Sequence, residues 1–112
     1  MTARYVPDRG DLVWLEFSPH SGHEQSGHRP AFIVSPLAYN RKTGLALVCP
    51  LTTQVKGYPF EVPVPPGLKA KGAILSDQLK SLDWQARHAK FMERTPNALI
   101  AEVLAKAVTL LS

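Results

Sequence analysis

The chain has 112 residues, of which 45% are hydrophobic and 20% are charged. This is the size and composition of one globular domain, expected to span residues 1–112, and it excludes a disordered polar chain. A net charge of +4 favours an acidic partner, for which nucleic acid is the usual candidate. The single cysteine, Cys49, excludes an internal disulfide. No apolar stretch resembles a signal peptide or a membrane span, so we expect a cytoplasmic protein without membrane contact.

Most of the chain alternates short apolar stretches with turn-forming residues, a pattern typical of β-strands. In chain order, these stretches predict strands at residues 11–17, 32–34, 45–51, 60–64, 73–76, 80–82 and 89–92. The first has apolar side chains on both of its faces, which suits a central strand of a small barrel. Pro63 lacks a backbone N–H, and this places the fourth strand at a sheet edge.

Helical patterns are fewer and lie mainly at the C-terminus. We predict short helical turns at residues 37–42 and 83–88, the first ended by Thr43 and Gly44. Thr95 is predicted as the N-cap of a longer helix, with Pro96 at its first helical position. One face of that helix is apolar, with Ile100, Val103, Leu104, Ala107 and Leu111. Strands followed by one amphipathic helix predict a mainly β protein: a small β-barrel with the helix packed outside it.

The longest polar connection, residues 18–28, carries three of the four histidines. His20, His23 and His28 lack the spacing and the neighbouring Cys or Asp ligands of a zinc site, so we predict neither a metal site nor a cofactor. Arg29 follows at the entry to a strand. A guanidinium held there suits phosphate binding, but an ordinary surface arginine fits the same pattern equally well.

Two further segments combine polar and aromatic residues at strand ends. Residues 52–54, Thr-Thr-Gln, follow a buried strand, where they can either contact a ligand or satisfy the backbone of a turn. Residues 56–60, Lys-Gly-Tyr-Pro-Phe, fit either RNA stacking with a phosphate contact or a hairpin turn with core aromatics. Other lysines, namely Lys69, Lys71 and Lys80, are interpreted as solvated charges, with a groove position beside Gln78 as the alternative for Lys80.

Taken in order, these segments resemble the MazF/PemK toxins of bacterial toxin–antitoxin modules. The resemblance runs from about Arg4 through Leu82 and is carried by residues 8–14, 17–19, 22–30, 35–36, 39–40, 50–54 and 56–62. It implies an SH3-like small β-barrel of the MazF/PemK/CcdB-like fold that acts as a homodimer. It also implies a sequence-specific, metal-independent endoribonuclease that cleaves single-stranded mRNA to 2′,3′-cyclic phosphate and 5′-hydroxyl ends. A cognate MazE-like antitoxin would neutralise it by laying an acidic tail along the RNA groove.

The resemblance also assigns candidate site residues. Arg29 and Thr52 match the catalytic pair, and Glu24 matches a loop carboxylate that supports activity. Glu24, His28 and Arg29 remain alternatives for the general base. The candidate RNA-binding residues are Phe17, His28, Gln54, Lys56 and Gln78.

Two other functions fit the same barrel. A non-catalytic toxin like the CcdB gyrase poisons would bind a protein target, and the matches at Arg29 and Thr52 argue against it. A plain nucleic-acid-binding barrel would bind RNA in a salt-sensitive way without cleaving it.

Overall fold

A computed structural model of the chain describes residues 5–17 and 28–112. Within these residues lie seven strands and two helices: β1 (Asp11–Glu16), β2 (His28–Ile33), α1 (Leu37–Thr43), β3 (Leu45–Thr52), β4 (Glu61–Pro63), β5 (Ala73–Leu75), β6 (Lys80–Asp83), β7 (Lys90–Arg94) and α2 (Asn97–Thr109). Every predicted strand is present. The largest difference is at β2, which begins at His28 and therefore includes Arg29.

Strand β3 is the centre of the antiparallel sheet, whose strand order is β4-β5-β3-β2-β1-β7. Its N-terminal half pairs with β6, its middle with β2, and its C-terminal end with β5. Within the described residues no ladder joins β7 to β4, so the barrel-like sheet is not closed. The edge position predicted for the strand with Pro63 is confirmed, since among the strands described here β4 pairs with β5 alone.

Both faces of the sheet are covered, so the molecule has two apolar cores. Because side chains alternate along a strand, Leu12 enters one core and Val13 the other, and both are fully buried. The first core includes Val103 of α2, which confirms that the helix packs on the outside of the sheet. Cys49 is also buried there, and the burial raises its pKa to about 12.

Helix α2 differs from its prediction at both ends. Its N-cap residue is Pro96, without a side-chain cap, and not Thr95. The Thr95 hydroxyl donates instead to the carbonyl oxygen of Gly10 at 2.6 Å, so it ties the chain to the start of β1. Leu111 follows the last helical residue, and it is 76% exposed, so it does not extend the apolar face. Neither helix in the described part of the chain is long and apolar enough to span a membrane.

Residues 84–88 form hydrogen-bonded turns and not a regular helix. The Asp83 carboxylate accepts the backbone N–H groups of Gln85 and Ala86 and so fixes the first turn. Trp84 is buried in the second core, where its indole N–H donates to the carbonyl oxygen of Asn40 at 3.0 Å. This bond joins the turns to helix α1.

Candidate active site

Arg29 and Thr52 lie at facing ends of two paired strands. In the β2–β3 ladder, Ala31 pairs with Pro50, and the register is constant over three residue pairs. The ladder ends at this pair, and Arg29 in β2 and Thr52 in β3 each lie two residues beyond it. Two residues is one full period of side-chain alternation, so both side chains lie on the same face of the sheet as Ala31 and Pro50.

These two residues line a cleft of about 340 Å³. The described residues that line it are Arg29, Pro30, Leu51, Thr52, Thr53, Gln54 and Lys71. Arg29 is exposed, so its guanidinium is accessible to a ligand in the cleft. A planar, permanently charged donor beside a hydroxyl is an arrangement suited to a phosphate group.

The Thr52 hydroxyl has a structural role that is compatible with ligand binding. Its oxygen accepts the backbone N–H of Gln54 at 3.0 Å, so Thr52 satisfies the backbone of the turn, one of the two alternatives that the sequence left open. A hydroxyl that accepts one hydrogen bond still carries its own hydrogen. The turn therefore orients Thr52 and leaves the hydroxyl able to donate into the cleft.

A second, smaller cavity of about 140 Å³ adjoins the cleft at Thr52 and Gln54. It is lined by Thr52, Gln54, Lys56, Tyr58, Glu61, Leu75 and Gln78. We call the cleft and this cavity together the groove. The structure thus brings together Arg29, Thr52, Gln54, Lys56 and Gln78, five of the residues predicted for the site.

The Lys56 side of the groove is held by a buried carboxylate. Glu61, only 6% exposed, accepts the backbone N–H of Lys56 at 3.0 and 3.1 Å and that of Gly57 at 2.6 Å. Gly57 has φ +83°, a conformation that other residues rarely adopt. Sequence reasoning gave Glu61 no role, although an acidic residue inside an apolar strand pattern was the available signal.

Tyr58 links the two polar loops of the smaller cavity. Its hydroxyl donates to the Asp77 carboxylate at 2.8 Å. This hydrogen bond, together with the nearby negative charge, raises the pKa of Tyr58 because both favour the protonated phenol. The loop that carries Gln78 is therefore tied to the loop that carries Lys56.

Comparison with known proteins identifies the family. Residues 8–111 match the family described as PemK-like, MazF-like toxin of type II toxin–antitoxin systems. The chain belongs to this family. It is 57% identical to the endoribonuclease toxin MazF of Escherichia coli K12 over 89 residues, which are 80% of this chain and 79% of that protein.

Solved structures of MazF proteins confirm the fold. The crystal structure of MazF from Deinococcus radiodurans matches with a TM-score of 0.87 and 51% identity, covering 96% of this chain and 98% of that one. A MazE–MazF complex from the same organism also matches with a TM-score of 0.87, at 46% identity over 97% of this chain and 98% of that one. The predicted barrel-like MazF/PemK fold is therefore correct.

Two predicted site residues of this MazF/PemK-family chain, Phe17 and His28, do not line the groove in the described part of the structure. Phe17 packs against the second core, with the Lys80 ammonium 5.9 Å from its ring centre. His28 lies 3.6 Å from the Glu16 carboxylate, which also contacts His88 at 3.1 Å. Glu24 lies outside the described residues, as do His20 and His23.

Proposed function

We propose that this protein is the endoribonuclease toxin of a type II toxin–antitoxin pair. It cleaves single-stranded mRNA at specific sequences and without a metal ion. The observation that carries the proposal is the cleft that Arg29 and Thr52 both line. The identity of 57% to a protein named as an endoribonuclease toxin supports the same activity.

The proposed reaction uses the RNA's own 2′-hydroxyl as the nucleophile. The 2′-oxygen bonds to the adjacent phosphorus while the bond to the 5′-oxygen breaks and that oxygen takes up a proton. The products are a 2′,3′-cyclic phosphate and a 5′-hydroxyl end. Negative charge builds on the non-bridging oxygens in the transition state, where Arg29 and the Thr52 hydroxyl act as donors.

A general base must accept the proton of the 2′-hydroxyl, and Glu24, His28 and Arg29 are the candidates. A guanidinium stays protonated in nearly all protein environments, which favours the carboxylate or the imidazole. His28 is exposed at the first residue of β2, directly before Arg29 in the chain.

The remaining proposed roles concern RNA recognition. Lys56 contacts a phosphate, while Gln54 and Gln78 bond to base edges across the smaller cavity. Phe17 and His28 contact bases beyond the two cavities. Single-stranded RNA suits such a groove because its unpaired bases can be splayed out and read on their edges.

We further propose the partners and the setting of this activity. A cognate MazE-like antitoxin covers the groove, consistent with the match to a MazE–MazF complex. The protein acts as a homodimer of single-domain chains in the cytoplasm, where its mRNA substrate occurs. An acidic antitoxin segment complements the net charge of +4.

The test compares wild-type protein with Arg29→Ala on a long single-stranded RNA. Cleavage should be lost in Arg29→Ala with an unchanged circular dichroism spectrum, because the side chain is exposed and packs into neither core. Arg41→Ala, which removes an exposed arginine of α1, is the matched control and should cleave normally. Full cleavage by Arg29→Ala, or cleavage that persists when the 2′-hydroxyl at the cut site is replaced by hydrogen, would contradict the mechanism.

A further inference from the structure

Lys71 lines the same cleft as Arg29 and Thr52. The sequence pattern indicated a solvated charge, which agrees with the exposed side chain, but it gave no sign that Lys71 lines the cleft. Among the described residues that line the cleft there are two cations, Arg29 and Lys71, and no carboxylate. Such a lining favours an anionic ligand that can contact both side chains.

The backbone before Lys71 is anchored to strand β7. The Glu93 carboxylate accepts the N–H of Lys69 at 2.9 Å and that of Ala70 at 3.0 Å. Ala70 is buried against the first core. These contacts hold the main chain immediately before Lys71 in place, although the Lys71 side chain itself is exposed.

The backbone after Lys71 is packed directly against Thr52. Gly72 has φ +98°, and a Cβ atom at this position would lie 1.9 Å from the carbonyl oxygen of Thr52. Only glycine allows this approach. The Gly72 carbonyl also accepts the N–H of Val64 at 2.9 Å, which fixes the segment from its other side.

We propose that Lys71 binds an RNA phosphate next to the one that is cleaved, an inference that rests on the proposed function. Strand β3 lies between β2 and β5, so Arg29 and Lys71 approach Thr52 from opposite sides. Arg29 lies in β2 and Lys71 two residues before β5, and strands two positions apart are separated by about 10 Å, a spacing at which the two cations can contact successive phosphates of one RNA strand. Arg29 and Thr52 therefore hold the scissile phosphate, and the Lys71 ammonium reaches its neighbour.

The experiment measures cleavage kinetics and the salt dependence of RNA binding for Lys71→Ala, Lys71→Arg and Lys69→Ala. Lys69→Ala is the matched control, because that exposed lysine is two residues away and does not line the cleft. Binding is measured with an RNA whose 2′-hydroxyl at the cut site is replaced by hydrogen. Circular dichroism establishes that each variant is folded.

We expect Lys71→Ala to raise KM about three- to tenfold with kcat unchanged. In a plot of log affinity against log salt concentration, the negative slope should become less steep by about 0.7. Lys71→Arg should retain the slope, and Lys69→Ala should behave like the wild-type protein. Equal KM and slope for Lys71→Ala and Lys69→Ala would overturn the assignment. A fall in kcat with unchanged KM would overturn it too, since it would place Lys71 at the scissile phosphate. Wild-type protein that leaves RNA intact would instead refute the proposed function, and this inference with it.

Discussion

Replacing Glu61 should destabilise the protein far more than replacing an exposed glutamate. The Glu61 carboxylate is buried and accepts the backbone N–H groups of two consecutive residues, Lys56 and Gly57. In Glu61→Ala both donors lose their partner. The turn that carries Lys56 then loses the contact that fixes it.

The size of the effect follows from these contacts. A hydrogen bond to a charged group contributes about 1.5–3 kcal/mol, so two such donors set an upper value of about 3–6 kcal/mol. Lys56 and Gly57 are exposed, however, so water can accept hydrogen bonds from their freed N–H groups and offset part of the lost free energy. We therefore expect Glu61→Ala to lower the free energy of unfolding by about 2–3 kcal/mol. Glu61→Gln keeps one carbonyl acceptor and should lose about half as much.

Urea unfolding at one fixed protein concentration measures these changes, since the stability of an oligomer depends on concentration. With an m-value of about 2 kcal/mol/M, Glu61→Ala should lower the unfolding midpoint by about 1 M urea. Glu102→Ala, at an exposed position in α2, is the matched control and should change stability by less than about 0.5 kcal/mol. A Glu61→Ala variant as stable as Glu102→Ala would refute the anchoring role of the carboxylate.

Three further predictions concern the groove and the core. Lys56→Ala should weaken RNA affinity more than turnover, because the side chain is exposed in the smaller cavity, and unchanged affinity in a filter-binding assay would count against a phosphate contact. Gly72→Ala should lower the free energy of unfolding by about 2–4 kcal/mol because its Cβ would overlap the Thr52 carbonyl oxygen; a urea midpoint equal to wild type would disprove that approach. Cys49 should resist iodoacetamide at pH 8 until the protein is unfolded in urea, because burial raises its pKa to about 12 and the reactive thiolate is scarce; rapid labelling of the folded protein would contradict this.

The strands could be predicted because local chemistry determines them. Apolar stretches bounded by glycine and proline correspond to β1, β3 and β5 within two residues at either end. Pro63 identified the edge strand for a reason that holds in any sheet, its missing N–H. The N-cap at Thr95 was wrong because a tertiary partner, the Gly10 carbonyl, uses its hydroxyl. No local pattern reveals such a partner.

The candidate site was predictable only where single segments carry its residues. The strand-end patterns at Arg29 and Thr52 left a structural alternative open, and it was the resemblance to MazF/PemK toxins that assigned them as a pair; the pairing of β2 with β3 then brings both to one cleft. Lys71 joins them through the pairing of β5 with β3 and through an anchor on Glu93, which lies 22 residues further along the chain. The Glu61 carboxylate likewise accepts the backbone N–H groups of a turn, those of Lys56 and Gly57. Such contacts depend on the folded arrangement, and composition or periodicity does not reveal them.

Metal-independent cleavage of RNA is the central claim, and one measurement tests it most directly. The purified protein is incubated with a long single-stranded RNA in excess EDTA, and the ends of the products are mapped. We predict discrete cuts at one short sequence, with 5′-hydroxyl and 2′,3′-cyclic phosphate ends. RNA that remains intact, with the protein shown to be folded, would contradict the claim and leave Arg29 and Thr52 with structural roles only.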